Sequence, residues 1–197
     1  MAGRRVWRPK LNNFSHFDIL FINCGSHEWA LEKASSAELD AVFTNLRTFV
    51  AQGGSIYMSD WAYDLLELLY PDAADWYDDD EVESAAEVGE RQDFLGLIAD
   101  EDMLTVLDKD RVTLRYNQGR ICMPVSLGEG SRALITANNL LVDAPAQTLD
   151  DVPVLFEHIP PAVDPVEGGR IIYTTFHNGA QNTMDMDEVL RAIIFSL

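Results

Sequence analysis

Basic residues are scarce in this chain: Lys+Arg 14 stand against Asp+Glu 33 in 197 residues, a formal net charge of −19. Binding a nucleic acid needs a basic face that displaces counterions from phosphate, so this balance speaks against such partners. The same repulsion speaks against anionic membrane surfaces. Cysteine is scarcer still. Cys24 and Cys122 are far apart and make no disulfide framework. Both sit in apolar runs, which predicts buried thiols in a reducing, cytoplasmic compartment. No apolar run approaches the ~20 residues of a spanning helix. The opening MAGRRVWRPKLNNF is basic but has no apolar block of a signal peptide, so a soluble protein is expected.

Several motifs are missing as well. GEGSR (128–132) lacks the Lys-Ser/Thr of a phosphate-binding loop, and no G-x-G-x-x-G follows the first predicted strand. There is no C-x-x-C pair for zinc, and the acidic DDDE (78–81) lacks the alternating ligands and turn glycine of a calcium loop. No cofactor is therefore identified and no metal is expected. The hydrophobic fraction of 47% is that of a folded domain, not of a disordered chain.

What is present reads as one domain over residues 17–197, preceded by a basic arm over 1–16 that holds Arg4, Arg5, Arg8 and Lys10. FDILFINCG (17–25) is a short apolar run ending in glycine, the pattern of a buried parallel strand. Ser35 and Glu38 form a capping box ahead of a helix whose apolar positions run from Leu39 to Val50. Gly53-Gly54 ends it, SIYMSD (55–60) is the next strand, and WAYDLLELLY (61–70) is a helix that Ser59 or Asp60 caps. Residues 72–90 carry nine acidic side chains and no basic one, which predicts a solvated loop. Beyond it lie short strands at 93–99, 111–117, 121–127 and 132–137, with Asn117-Gln118-Gly119 as a hairpin turn between the middle pair. These form a β-rich excursion over about 91–150. Strands at 153–159 and 170–176 follow, then a last helix with Asp185 and Glu188 as its capping box. The expectation is an α/β fold, a flavodoxin-like open and mostly parallel sheet with helices on both faces.

In such sheets ligands bind beyond the carboxyl ends of the strands. The residues placed there are Cys24, Gly25, Ser26, His27 and Glu28 after the first strand, Ser59, Asp60 and Trp61 after the second, and His177, Asn178 and Gln181 after the last. These define a candidate cleft, with His177, Glu28 and Asp60 as candidate catalytic groups and the others as ligand contacts. His27, Glu28, Asp60 and His177 could make a two-His, one-carboxylate metal site, but no local spacing supports it. Cys24 closes an apolar strand and reads as structural. Ser59 stands at a strand-to-helix turn without the glycines of a nucleophile elbow.

The runs FDILFINCG, LRTFVAQGGSIYMSDWA and PVLFEH…GGRIIYTTFHNGAQ together resemble the class I glutamine amidotransferase-like superfamily. Within it they look most like the non-amidotransferase branch that includes ThuA-like domains. The resemblance covers residues 17–70 and 153–197. Active amidotransferases carry a nucleophilic cysteine in a glycine-flanked elbow and a later His-x-Glu pair. Here the corresponding chain reads SDWA, and His177 is followed by Asn178 and Gly179. The resemblance therefore implies no glutamine hydrolysis. It also implies a short or absent first βα unit, and so a trimmed domain or a sheet edge completed by another chain. The resulting expectation is a non-catalytic domain that binds a protein partner, a second copy or a small ligand at the strand ends. The alternative is a hydrolase acting on a small, sugar-like substrate through His177, Glu28 and Asp60.

Overall fold

The computed structural model describes residues 17–24, 36–78, 85–143, 146–161, 168–177 and 183–196. The apolar run after Phe17 forms β1 (Ile19–Ile22), and helix α1 (Ser36–Ala51) lies between it and β2 (Ser55–Ser59). A single 3-10 turn over Asp60–Ala62 leads into α2 (Tyr63–Leu69). Strands β3 (Ala74–Trp76), β4 (Glu87–Gly89) and β5 (Gln92–Ile98) precede α3 (Glu101–Leu107). Then come β6 (Arg111–Tyr116), β7 (Ile121–Cys122), β8 (Pro124–Leu127), β9 (Ser131–Ala137), β10 (Leu140–Asp143) and β11 (Ala146–Leu149). Strands β12 (Val152–His158) and β13 (Ile171–Thr174) and helix α4 (Met184–Ser196) complete the order.

The main sheet has seven strands in the order β1-β2-β13-β12-β9-β5-β6. β1, β2 and β13 run parallel, while β12, β9, β5 and β6 each join antiparallel. A four-stranded sheet (β11-β10-β4-β7) and a two-stranded one (β3-β8) stand beside it. This overturns the flavodoxin-like, mostly parallel expectation. Much of what covers the main sheet is strand: Ala74, Trp76 and Cys122 join one core, and Val88, Ile121, Leu140 and Val142 join the other. The supposed excursion over 91–150 instead supplies β5, β6 and β9, three of the seven main strands.

Local readings are corrected too. The acidic stretch 72–90 is not simply a solvated loop. Ala73, Ala74, Trp76, Ala86 and Val88 are buried as core, and Glu87, which pairs with Arg120, is buried too, while Asp72, Asp75 and Asp78 face out; residues 79–84 lie outside the described part. Asn117-Gln118-Gly119 does not close a hairpin, because β6 pairs with β5 and β7 with β4. The last helix is capped by Thr183, whose Oγ1 accepts the Met186 N–H at 3.1 Å. Asp185 instead takes the Thr113 N–H at 2.6 Å and the Lys109 ammonium at 2.9 Å. Helix α3 is seven residues long, too short for a periodic signal, and Asp100 caps it by accepting the Met103 N–H at 2.8 Å. Ser35, half of the first capping box, lies outside the described residues.

The parallel strands are held in register at their amino ends. Gly53, at φ 96°, stops α1 in a conformation L side chains rarely adopt. Gly169 N–H donates to the Val50 carbonyl at 2.8 Å, and the Gly54 carbonyl lies where a Cβ on Gly169 would stand. The loop ahead of β13 thus rests directly on the loop ahead of β2. From there the ladder runs level: Ile22 opposite Met58 and Thr174 opposite Ser59. Three carboxyl ends therefore finish together. Gly169→Ala should force these loops apart and cost about 2 kcal/mol, the usual range for overpacking. Gly119→Ala, whose Cβ would meet only the Gly89 carbonyl at 3.9 Å, should be nearly neutral. Urea unfolding of both variants checks this, and equal midpoints would contradict the register argument.

Candidate functional site at the strand ends

Two residues beyond β1 lies Cys24, one beyond β2 lies Asp60, and three beyond β13 lies His177. Because the strands finish level, these side chains meet. His177 Nε2 lies 3.0 Å from Asp60 Oδ2, and the Cys24 thiol approaches the same oxygen with Sγ at 3.7 Å. One ligand atom from each of the three lies within 4.8 Å of the others. Asp60 is fully buried, while Cys24 is half-buried and the His177 side chain is 20% exposed, so the cluster opens on the thiol and imidazole side.

Asp60 is held from every direction. Its Oδ1 accepts the Cys122 N–H at 3.0 Å, and its backbone carbonyl accepts the Tyr173 hydroxyl at 2.7 Å. Its φ of 46° is left-handed, which aspartate tolerates better than most residues but which only such anchoring maintains. Ser59 and Asp60 do not cap the following turn. Ser59 Oγ accepts the Cys24 N–H at 3.1 Å and joins the ends of β1 and β2. The bend after β13 is fixed by hydroxyls: Thr174 Oγ1 donates to the Phe176 carbonyl at 2.9 Å and takes the Tyr57 hydroxyl at 2.7 Å. His177 is pushed up to about 10, first by its hydrogen bond to Asp60 and next by that to Cys24. Burial pushes the Cys122 thiol well above its ordinary range.

Of the residues placed at the strand ends, the structure brings Cys24, Ser59, Asp60 and His177 together. Trp61 stands beside them but is engaged otherwise: its indole N–H donates to the Arg120 carbonyl at 2.7 Å, and the Arg120 guanidinium lies 5.8 Å from the ring centroid. Gly25, Ser26, His27, Glu28, Asn178 and Gln181 lie outside the described residues. The contributions of Tyr173 and the Cys122 backbone are not legible in the chain, since the expected strands at 121–127 and 170–176 hold both residues within a strand rather than beyond its end. The structural reading of Cys24 is corrected as well: its thiol faces a carboxylate and an imidazole, not an apolar core.

A cavity of about 630 Å³ lies elsewhere, between α2, β3 and β8, and its lining includes Tyr70, Asp72, Trp76, Glu129 and His158. Ser131 Oγ donates to the Ala73 carbonyl at 2.7 Å, so the 2.8 Å contact with His158 requires Nδ1 to carry the proton. The buried Nε2 then has a lone pair without a partner among the described residues.

No protein-family model matches the chain, and no curated protein does. Solved structures share its fold. Cytoplasmic Protein STM3548 from Salmonella typhimurium is 13% identical with a TM-score of 0.59, over 98% of this chain and 76% of that one. The mmIFT52 N-terminal domain is 11% identical with a TM-score of 0.52, over 82% of this chain and 70% of that one. At such identities the likeness concerns the fold alone. Among the described residues no helix is long and apolar enough to cross a membrane.

Burial lowers His158 from 6.5 to about 4. The unfolded chain takes up this proton first as pH falls, so the neutral histidine's contribution is present above about 6.5 and lost towards 4. The difference corresponds to about 3 kcal/mol. His158→Gln should flatten the fall in thermal stability between pH 7 and 4.5. A variant as steep as the wild type would overturn this assignment.

Proposed function

We propose that this chain is a ligand-binding domain of the amidotransferase-like kind without glutamine hydrolysis, its ligand seated at the carboxyl ends of β1, β2 and β13. The observation that carries the reading is the meeting of Cys24, Asp60 and His177 from three separate strand ends. Burying Asp60 completely costs several kcal/mol unless each oxygen is engaged, and here both are. The ThuA-like resemblance in the same segments supports the reading, as does the absence of an elbow cysteine after β2, where Asp60 occupies the strained turn.

The hydrolytic alternative has the His177–Asp60 pair in its favour. Its geometry differs from a relay, however. In a catalytic triad the carboxylate holds one imidazole nitrogen and the nucleophile faces the other. Here Asp60 Oδ2 receives both the imidazole and the thiol, so the three groups close into a triangle.

Native mass spectrometry of gently purified protein tests the binding reading. The wild type should retain a stoichiometric ligand that His177→Ala loses while keeping its circular dichroism. Equal retention by the variant would remove the strand ends from consideration. A bare wild-type mass in a defined oligomer would favour a protein partner or self-association instead. Ammonia release from glutamine should stay at the buffer level, and a release abolished by Cys24→Ala would contradict the proposal.

A further inference from the structure

We infer that Cys24, Asp60 and His177 form a mononuclear site for a zinc-type divalent ion; this rests on the strand-end reading and names its resident group. The donor set is one thiolate sulfur, one carboxylate oxygen and one imidazole nitrogen, the mixture that borderline ions such as zinc prefer and that calcium and magnesium do not. The spacing fits. With ordinary zinc bond lengths and tetrahedral angles, the nitrogen and oxygen ligands stand about 3.3 Å apart and the sulfur and oxygen about 3.5 Å apart. The corresponding separations are 3.0 Å for His177 Nε2 to Asp60 Oδ2 and 3.7 Å for Cys24 Sγ to Asp60 Oδ2.

The surroundings are those a metal site requires. Outer hydrogen bonds orient ligands and set their basicity. Asp60 gives Oδ2 to the triangle while the Cys122 N–H holds its Oδ1, so the carboxylate is fixed for binding through one oxygen. Tyr173 fixes the backbone of Asp60, and Ser59 fixes that of Cys24. The ligands come from three strand ends that the parallel ladder sets level, a rigid frame rather than one flexible loop. Three protein ligands among the described residues leave a fourth position for water or a small ligand, the arrangement of reactive rather than structural zinc. The seated ligand of the strand-end reading would then meet the ion directly.

The test strips the full chain with a chelator, reloads it with Zn2+ and counts metal per chain, then repeats the loading with Co2+ and records the absorption spectrum. The expected result is one ion per chain and a thiolate-to-cobalt charge-transfer band. Cys24→Ser, nearly isosteric, should lose the band and weaken zinc by more than tenfold. Ser59→Ala, one step removed, should keep the band and weaken zinc by about tenfold. No stoichiometric zinc in the wild type overturns the inference, and so does an unchanged cobalt spectrum in Cys24→Ser, which would place the ion elsewhere. The native mass comparison separates the two readings. An organic ligand lost in His177→Ala, with no metal uptake, leaves the strand-end reading standing and the metal site refuted. No zinc, together with a ligand held equally by wild type and variant, refutes both.

Discussion

The buried carboxylate of Asp60 is the constraint around which this end of the molecule is arranged. A charge with no solvent access must be satisfied by the protein, and the groups that engage Asp60 come from three different strands or their ends. The Cys122 N–H comes from β7 in the small sheet, the Tyr173 hydroxyl from β13, and the thiol and imidazole from beyond β1 and β13. One residue thereby ties the parallel part of the main sheet to the four-stranded sheet beside it. Removing one partner of such a group is costly, because the rest is left buried and unpaired. The left-handed backbone at Asp60 belongs to the same bargain: strain at one residue is tolerated where the surroundings fix it from several sides.

A second buried charge does comparable work at the opposite end of the strands. Glu157, on the fully buried strand β12, is paired with Arg132 on β9 at 2.7 Å and with Arg170 ahead of β13 at 2.8 Å. Arg132 also reaches Asp100, the cap of α3. This network links the antiparallel strands to the loop that carries Gly169. The amino end of β13 is thus set by glycine contact and ion pairing, and its carboxyl end by tyrosine and threonine hydroxyls. The Tyr173 hydroxyl also holds the Asp60 backbone, and together the two sets decide where His177 stands.

The parallel segment was legible in the chain because its signals are local. An apolar run ending near glycine, a helix with one apolar stripe and a Gly-Gly stop each reflect short-range physics, and the level strand ends follow from them. The antiparallel half was not legible as part of the same sheet. A strand such as DFLGLIA alternates in burial as expected, but its pairing with β9, some forty residues on, is chosen by tertiary packing. Gly96 shows how: a Cβ there would stand 2.6 Å from Ile135 Cγ2, so the close approach of the two strands depends on a residue whose purpose appears only after they pair. The acidic stretch misled for the converse reason. Its charge density is that of a loop, while its buried alanines and Trp76 are too few and too short-spaced to register as strands.

The two cysteines show where composition stops being informative about a site. Both end or interrupt apolar runs, and both read as buried thiols. Cys122 is one: it is fully buried, its thiol is held protonated by burial, and what it contributes to the site is a backbone N–H. Cys24 lies past the last hydrogen-bonded residue of β1, where the strand no longer covers it and the ends of β2 and β13 present oxygen and nitrogen. The difference between them is two residues of strand length. A thiol inside a strand packs, whereas a thiol just beyond parallel strands that end level is delivered to whatever their neighbours deliver. That is why the sheet's register, rather than any motif around Cys24, turns an isolated cysteine into one corner of a three-ligand site.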